Sequence, residues 1–271
     1  MLTYYDRNKY CKTISFNIKT KGDENMPIEV FNRYEHKYLI DRDIYKKIIY
    51  SMDLHMVPDP YNINHKPYTI SNIYYDTPDD YLIRTSLSSP PYKEKLRLRA
   101  YGVPEKDDKV FLEIKKKFNG IVNKRRSVLT LPEAYHFVAT GDMPEIKDYM
   151  NKQVLNEISY FLSRYPLLPK LYLAYDRIAY FEQDNADLRI SFDTNIRSRR
   201  YDLKPELGDY GETLLDGGTY LMEIKTSLAK PLWLTKILAE LDIKRTGFSK
   251  YGTEYKQYLN GETKKNDKEA I

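Results

Sequence analysis

Cysteine is almost missing from this 271-residue chain. Cys11 stands alone, which excludes an internal disulfide framework and fits a reducing compartment such as the cytoplasm. The four histidines, His36, His55, His65 and His136, fall at no ligand spacing with one another or with Cys11, which argues against a zinc centre. No apolar run is long enough to cross a membrane. The first residues lack the apolar core and small-residue cleavage site of a secretory leader. Also missing are a P-loop, a kinase-type Gly-rich loop and a dinucleotide fingerprint.

What is present is a chain that is 41% hydrophobic and 31% charged, long enough to bury a proper core. Its net charge of +5 is modest, so the placement of the basic residues matters more than their total. The 27 tyrosines suit half-buried strands, where the ring packs and the hydroxyl reaches water.

The stretch from Tyr92 to Arg126 organises the rest. In KEKLRLRAY, Lys93, Lys95, Arg97 and Arg99 alternate with Glu94, Leu96, Leu98 and Ala100. Strand side chains point to opposite faces with period two, so one face is a row of cations and the other is mostly apolar. VFLEIKKKF repeats the pattern with Glu113, Lys115 and Lys117, and after a turn at Asn119-Gly120 the next strand offers Lys124 and Arg126. Further strands place Glu35 with Lys37, Tyr175 with Arg177, Arg189 with Ser191 and Asp193, and Glu223 with Lys225. For one strand, a solvated outer face is the simpler reading. Several strands aligning Arg and Lys in one direction, interspersed with Glu, suit a polyanion accompanied by a divalent metal.

The remaining elements follow in order. Residues 1–25 are basic and without period, and read as a flexible appendage before the patterned region that opens at Met26. Asp41 caps a helix with an apolar stripe at Ile44, Ile48, Ile49 and Met52. Helical spacing returns at Leu131–Thr140 and Glu145–Tyr165, and again from Pro231 to Leu241. Ser249 can cap a last short helix ending near Leu259, and residues 261–271 form a disordered tail too polar to pack. The domain therefore spans 26–260. About eight strands with one apolar and one charged face fit an α+β fold. An open sheet would leave the charges in water; a closed antiparallel eight-stranded barrel would enclose them, with helices over the apolar outside. A lumen lined by Arg and Lys must be wet, because unpaired buried cations are very costly.

The pieces NRYEHKYLI, IYYDTPD, KLRLRAYG, VFLEIKKK, NKRR, YDRIAYF, LRISFDTNIR, LMEIK and GFSKYGTEY resemble, in that order, the VTC (vacuolar transporter chaperone) domain of the triphosphate tunnel metalloenzymes, the CYTH-like superfamily. The resemblance runs from about Glu29 to Tyr255. It implies a tunnel of eight antiparallel strands and, for catalytic VTC domains, polyphosphate synthesis from ATP with Mn2+ or Mg2+.

Carried over, Lys37, Arg97, Arg99, Lys115 and Arg177 look like the catalytic phosphate-binding cations. Lys124, Arg126, Arg189, Lys225 and Lys250 look like further phosphate ligands. Glu223 looks like the metal carboxylate, aided by Glu35 or Glu113. Two positions depart from the family pattern. The E-x-E-x-K of the cyclase-like branch reads Arg33-x-Glu35-x-Lys37, and a lysine of the last motif is Gly247, with Lys244 and Arg245 as substitutes. Three functions stay open on these residues: a polyphosphate polymerase, a triphosphate or polyphosphate hydrolase, and a non-catalytic polyphosphate-binding module. The expected partners are ATP and polyphosphate, held by phosphates and not by a dedicated base pocket. Nucleic acid is not expected, and any membrane or regulatory partner would be on another chain.

Overall fold

A computed structural model describes residues 34–62, 64, 66–119, 121–183, 187–227 and 229–269. The appendage at 1–25 and Arg33 lie outside the described residues. Ten strands and six helices follow the chain: β1 (Tyr34–Ile40), α1 (Arg42–Met52), β2 (Met56–Pro58), β3 (Tyr68–Asp76), α2 (Tyr81–Leu87), β4 (Tyr92–Tyr101), β5 (Lys109–Phe118), β6 (Ile121–Thr130), α3 (Leu131–Thr140), α4 (Lys152–Arg164), β7 (Leu168–Glu182), β8 (Arg189–Arg199), β9 (Glu212–Thr213), β10 (Tyr220–Thr226), α5 (Leu232–Glu240) and α6 (Lys250–Glu269).

Every strand pairing is antiparallel, in the order β1-β10-β8-β7-β3-β4-β5-β6, with β2 added to β7 and β9 to β8. The expected closed eight-stranded barrel is not formed: the sheet is open and has ten strands among the described residues. At the outer edge of β1 the Thr246 N–H donates to the Lys37 carbonyl at 2.8 Å, so a residue ahead of α6, and not β6, meets that edge. The sheet is nevertheless strongly curled. Lys115 on β5 is the cation that acts most on Glu35 of β1, although these strands lie near opposite ends of the hydrogen-bonded path.

The apolar faces turn outward under helices, as the alternation requires. Leu96, Leu98, Leu112, Ile114 and Leu129 pack against Phe137 of α3 and Val154, Leu155 and Ile158 of α4. Tyr38, Ile40, Phe192, Met222 and Ile224 pack against Ile48 and Met52 of α1 and Leu234 and Leu238 of α5. Each such side chain contributes roughly 1.5–3 kcal/mol on leaving water, so these helices hold the sheet's curvature from outside.

Helix ends explain two differences from the sequence pattern. Helix α4 begins at Lys152 and not at Glu145, because Asn151 caps it by accepting from the Val154 N–H at 3.1 Å, and its own N–H is held by Ser127 Oγ at 2.9 Å. Helix α6 runs on to Glu269, past the last apolar position at Leu259. Once a helix is nucleated, each added residue gains a backbone hydrogen bond without needing an apolar face.

The DTPD segment after β3 also gains a role. Buried Asp76 accepts from the N–H groups of Thr77, Leu82 and Ile83 at 2.8–2.9 Å and from the Tyr251 hydroxyl at 3.1 Å. One carboxylate thus ties β3, α2 and α6 together. Around that tie, Ile70, Leu171, Leu173 and Leu221 join Ile83, Tyr251 and Tyr255 in an apolar cluster. The inner face of the sheet is therefore charged along one part and filled with apolar side chains along another.

Candidate active site

The charged parity of the strands faces the inside of the curl, and its side chains form two ionic groups. The first centres on Glu223 of β10. Its Oε1 lies 3.5 Å from both Lys37 and Lys250, and its Oε2 lies 3.0 Å from Lys225 and 3.5 Å from Arg177. Burial opposes ionisation, but Lys225, Lys250, Lys37 and Arg177 outweigh it and hold this carboxyl well below its ordinary range. Lys37 also meets Glu35 at 3.2 Å. Burial again opposes, and Lys115, Lys225 and Lys37 bring Glu35 down to about 2.

The second group centres on Glu113 of β5. Arg97 reaches its Oε2 through Nε at 2.8 Å and Nη2 at 2.7 Å, and Lys124 reaches Oε1 at 2.8 Å. Against the cost of burial, Arg99, Arg97 and Lys124 keep Glu113 ionised. Arg97 also donates to the Tyr74 hydroxyl at 3.1 Å, and Arg99 to Asn72 Oδ1 at 3.1 Å.

Tyr175 joins the two groups. Its hydroxyl accepts from Arg99 at 3.3 Å, while Arg177 and Lys250 lie over its ring at 5.2 and 4.3 Å. Lys115 and Lys95 complete the lining with no carboxylate at ion-pair distance among the described residues. Burial, with Lys115, Lys93 and Lys37 nearby, lowers Lys95 to about 8 despite the opposing influence of Tyr74. Burial likewise lowers Lys115, with Lys37 and Arg97 adding to it against Glu35.

Of the residues expected from the sequence, Lys37, Glu35, Arg97, Arg99, Glu113, Lys115, Lys124, Arg177, Glu223, Lys225 and Lys250 are brought together in this way. Arg189 and Arg126 stand apart from the two groups. Arg189 is half-buried, with Nη2 donating to Asp59 at 3.1 Å and Tyr68 at 3.4 Å. Arg126 is exposed and lies over the Phe111 ring at 4.4 Å. The substitutes for the missing lysine do not enter the lumen: Lys244 pairs with exposed Asp242 at 3.0 Å, and Arg245 lines a pocket with His36 and Tyr38 on the opposite face of β1. Gly247 itself has open space where a side chain would start.

The sequence pattern missed several members. Asp193, fully buried, binds both ends of Arg177, Nε at 2.6 Å and Nη2 at 2.8 Å, and also contacts Lys250. Its alternation with Arg189 and Ser191 was the available signal. Asn72 and Tyr74 carry no charge, so β3 gave no sign that its inner face joins the site.

A divalent cation fits this donor set in one way. No group of three His, Cys, Asp or Glu residues that could hold a metal occurs among the described residues. Glu35 and Glu223, both ionised and both beside Lys37, are hard oxygen donors of the type that Mg2+ and Mn2+ use. Such ions often take one or two carboxylates and complete their shell with phosphate oxygens and water. Glu113 is otherwise engaged: its two oxygens are held by Arg97 and Lys124.

A family model, the VTC domain, matches residues 32–259. Among solved structures, the chain is similar to a Bacillus halodurans protein described as a candidate adenylate cyclase, at 15% identity over 80% of this chain and 95% of that one, with a TM-score of 0.46. It is also similar to a Hippeastrum protein described as having a dominant triphosphatase activity, at 17% identity over 80% and 92% of the two chains and a TM-score of 0.43. A third is the Mimivirus capping enzyme triphosphatase, at 10% identity over 78% and 86%, with a TM-score of 0.30. No curated protein matches the sequence. No helix among the described residues is long and apolar enough to cross a membrane.

Proposed function

Because the chain belongs to the VTC domain family, we propose that it is a polyphosphate polymerase that transfers the γ-phosphoryl group of ATP to a growing polyphosphate chain. One observation carries this reading: the inward face has more cations than carboxylates, and Lys95 and Lys115 have no carboxylate partner at ion-pair distance among the described residues. Both are partly withdrawn from water, where an unpaired cation carries a desolvation cost, and a polyanion threaded along the face would relieve that cost.

In the proposed reaction a terminal phosphate oxygen of the chain attacks the γ-phosphorus. The bond from that phosphorus to the β–γ bridging oxygen breaks, and ADP leaves. The attacking oxygen is already anionic, so no general base is needed. Phosphoryl transfer asks for in-line positioning and for compensation of charge on the equatorial oxygens. Arg97, Arg99 and Arg177 present forked donors for phosphate, while Lys37, Lys115 and Lys250 act as point charges. Glu223 with Glu35 would hold the divalent ion, which supplies charge neutralisation across phosphate oxygens when bound.

A hydrolytic reading uses the same cations with water as acceptor. Glu35 favours it, being ionised, only partly exposed, and able to accept a hydrogen bond from a water in the lumen. Incubation of the purified chain with ATP and Mn2+, followed by electrophoresis, separates the two. Long polyphosphate together with ADP is expected, and free phosphate without any polymer would sink the polymerase.

A further inference from the structure

The outer face of β1 carries a pocket that the phosphate chemistry does not use. His36 and Tyr38 point away from Glu35 and Lys37, as alternation along the strand requires. With α5 and the chain on either side of it, they line a pocket of about 370 Å³. That lies in the lower part of the range of small-molecule sites, roughly 300–1,000 Å³. Tyr38, Leu238 and Ile243 give it apolar walls, while His36, Lys230 and Arg245 give it polar ones.

The walls are fixed by backbone bonds. Asp242 turns past the end of α5 at a φ of 48°, and the N–H groups of Asp242 and Ile243 donate to the Ala239 and Leu238 carbonyls at 3.1 and 2.9 Å. Further on, Thr246 is held to the Lys37 carbonyl, so its neighbour Arg245 stays beside β1. The pocket is built before any ligand arrives.

Its positive charges are not cancelled. Lys230 is half-buried, and its Nζ lies 2.8 Å from His36 Nδ1. An ammonium group can only donate, so this ring nitrogen accepts and Nε2 carries the imidazole proton. A lysine on an open surface keeps its charged end in water; this one is drawn in against an imidazole, near a second cation. Neither Lys230 nor Arg245 has a carboxylate at ion-pair distance among the described residues. The acid in the lining, Asp242, is exposed and already meets Lys244 at 3.0 Å. Burial and the Arg245 guanidinium both push the Lys230 ammonium down.

We propose that this pocket is a second anion site, separate from the lumen, for a small organic anion. Its oxyanion head, phosphate or carboxylate, sits between Lys230 and Arg245, and its apolar body lies against Tyr38, Leu238 and Ile243. A guanidinium fork and an ammonium group are the usual partners of such heads. β1 stands between the two sites, Lys37 facing one and His36 the other, so the pocket does not depend on the reaction proposed for the lumen.

The test is calorimetric titration of the full chain with phenyl phosphate, benzoate and inorganic phosphate. Binding lost in Arg245→Gln and kept in Arg97→Gln is binding at the pocket, because Arg97 lines the lumen. Phenyl phosphate or benzoate is expected to bind there about tenfold or more tighter than inorganic phosphate, which lacks an apolar body to bury. The tighter of the two identifies the head. Arg245→Gln and Lys230→Gln are each expected to weaken it by about 10- to 150-fold, which is what a lost hydrogen bond to a charged group converts to. Arg245→Lys keeps the charge and is expected to lose less than Arg245→Gln. Thermal melting checks that the variants are folded; Arg245 is exposed, so Arg245→Gln carries the test even if Lys230→Gln melts early. The proposal is overturned if neither organic anion binds, if Arg245→Gln leaves their binding intact, or if inorganic phosphate binds the pocket as tightly as they do.

Discussion

Arg177 and Asp193 sit opposite each other on β7 and β8 and meet through two contacts, at 2.6 and 2.8 Å, with Asp193 wholly out of solvent. The pair places an arginine in the face proposed to bind phosphate while giving it a fixed direction. Its second oxygen also reaches Lys250, so one carboxylate orients cations from a strand and from α6.

Removing that carboxylate is the first test. Asp193→Asn leaves Arg177 and Lys250 buried with Glu223, 3.5 Å from each, as the remaining carboxylate among the described residues, and breaking a buried pair by deleting one partner costs about 3–5 kcal/mol. Urea unfolding is expected to show a loss of that size, and added tripolyphosphate, which binds the freed cations, is expected to recover much of it. A variant as stable as the parent without any anion would contradict the role assigned to Asp193.

The two buried glutamates should behave differently toward metal. Glu223→Gln removes the charge proposed to hold the ion and takes one partner from four cations, of which Lys37 keeps Glu35 and Arg177 and Lys250 keep Asp193. It is expected to lose activity, to need more Mn2+ for what remains, and to bind polyphosphate at least as tightly when no metal is present. Glu113→Gln frees Arg97 and Lys124, which pair with Glu113 and not with Glu35 or Glu223, and is expected to leave the Mn2+ midpoint of residual activity where it was. Equal shifts of that midpoint in both variants would place the ion elsewhere.

Anion binding should weaken at alkaline pH. Burial and the neighbouring ammonium groups lower Lys95 to about 8, and Tyr74, although burial opposes it, is brought to about 8 by the Arg97 guanidinium. Raising the pH through that value removes a positive charge from the lumen and adds a negative one. Both changes oppose a polyanion. The Kd for tripolyphosphate is expected to rise about tenfold or more between pH 7 and pH 9.5, each pKa unit being about 1.4 kcal/mol. The double variant Lys95→Ala with Tyr74→Phe should bind more weakly at neutral pH and show a flatter profile. A parent profile that stays level over this range would argue that neither group faces the anion.

The alternation in KEKLRLRAY and VFLEIKKKF settled which side chains share a face, because strand geometry sends neighbours to opposite sides whatever surrounds them. The same local rule identified Asp41 as the cap of α1, where its carboxylate accepts from Asp43 and Ile44 N–H at 2.9 and 2.8 Å. Whether the sheet closes was not a local matter. The residue that meets the outer edge of β1 is Thr246, far along the chain, and nothing in the residues around Lys37 marks it as that partner. Pairing of the charges was likewise decided only in three dimensions. Glu113 shares its strand pattern with Lys115, yet it is fixed by Arg97 and Lys124, while Lys115 has no carboxylate at ion-pair distance among the described residues. Asn72 and Tyr74 entered the site on an uncharged strand face, so neither had a periodic signal to read. Sequence determined the two faces of each strand through backbone geometry; tertiary structure decided which charges cancel and which are left for a ligand, because that depends on distances between residues far apart in the chain.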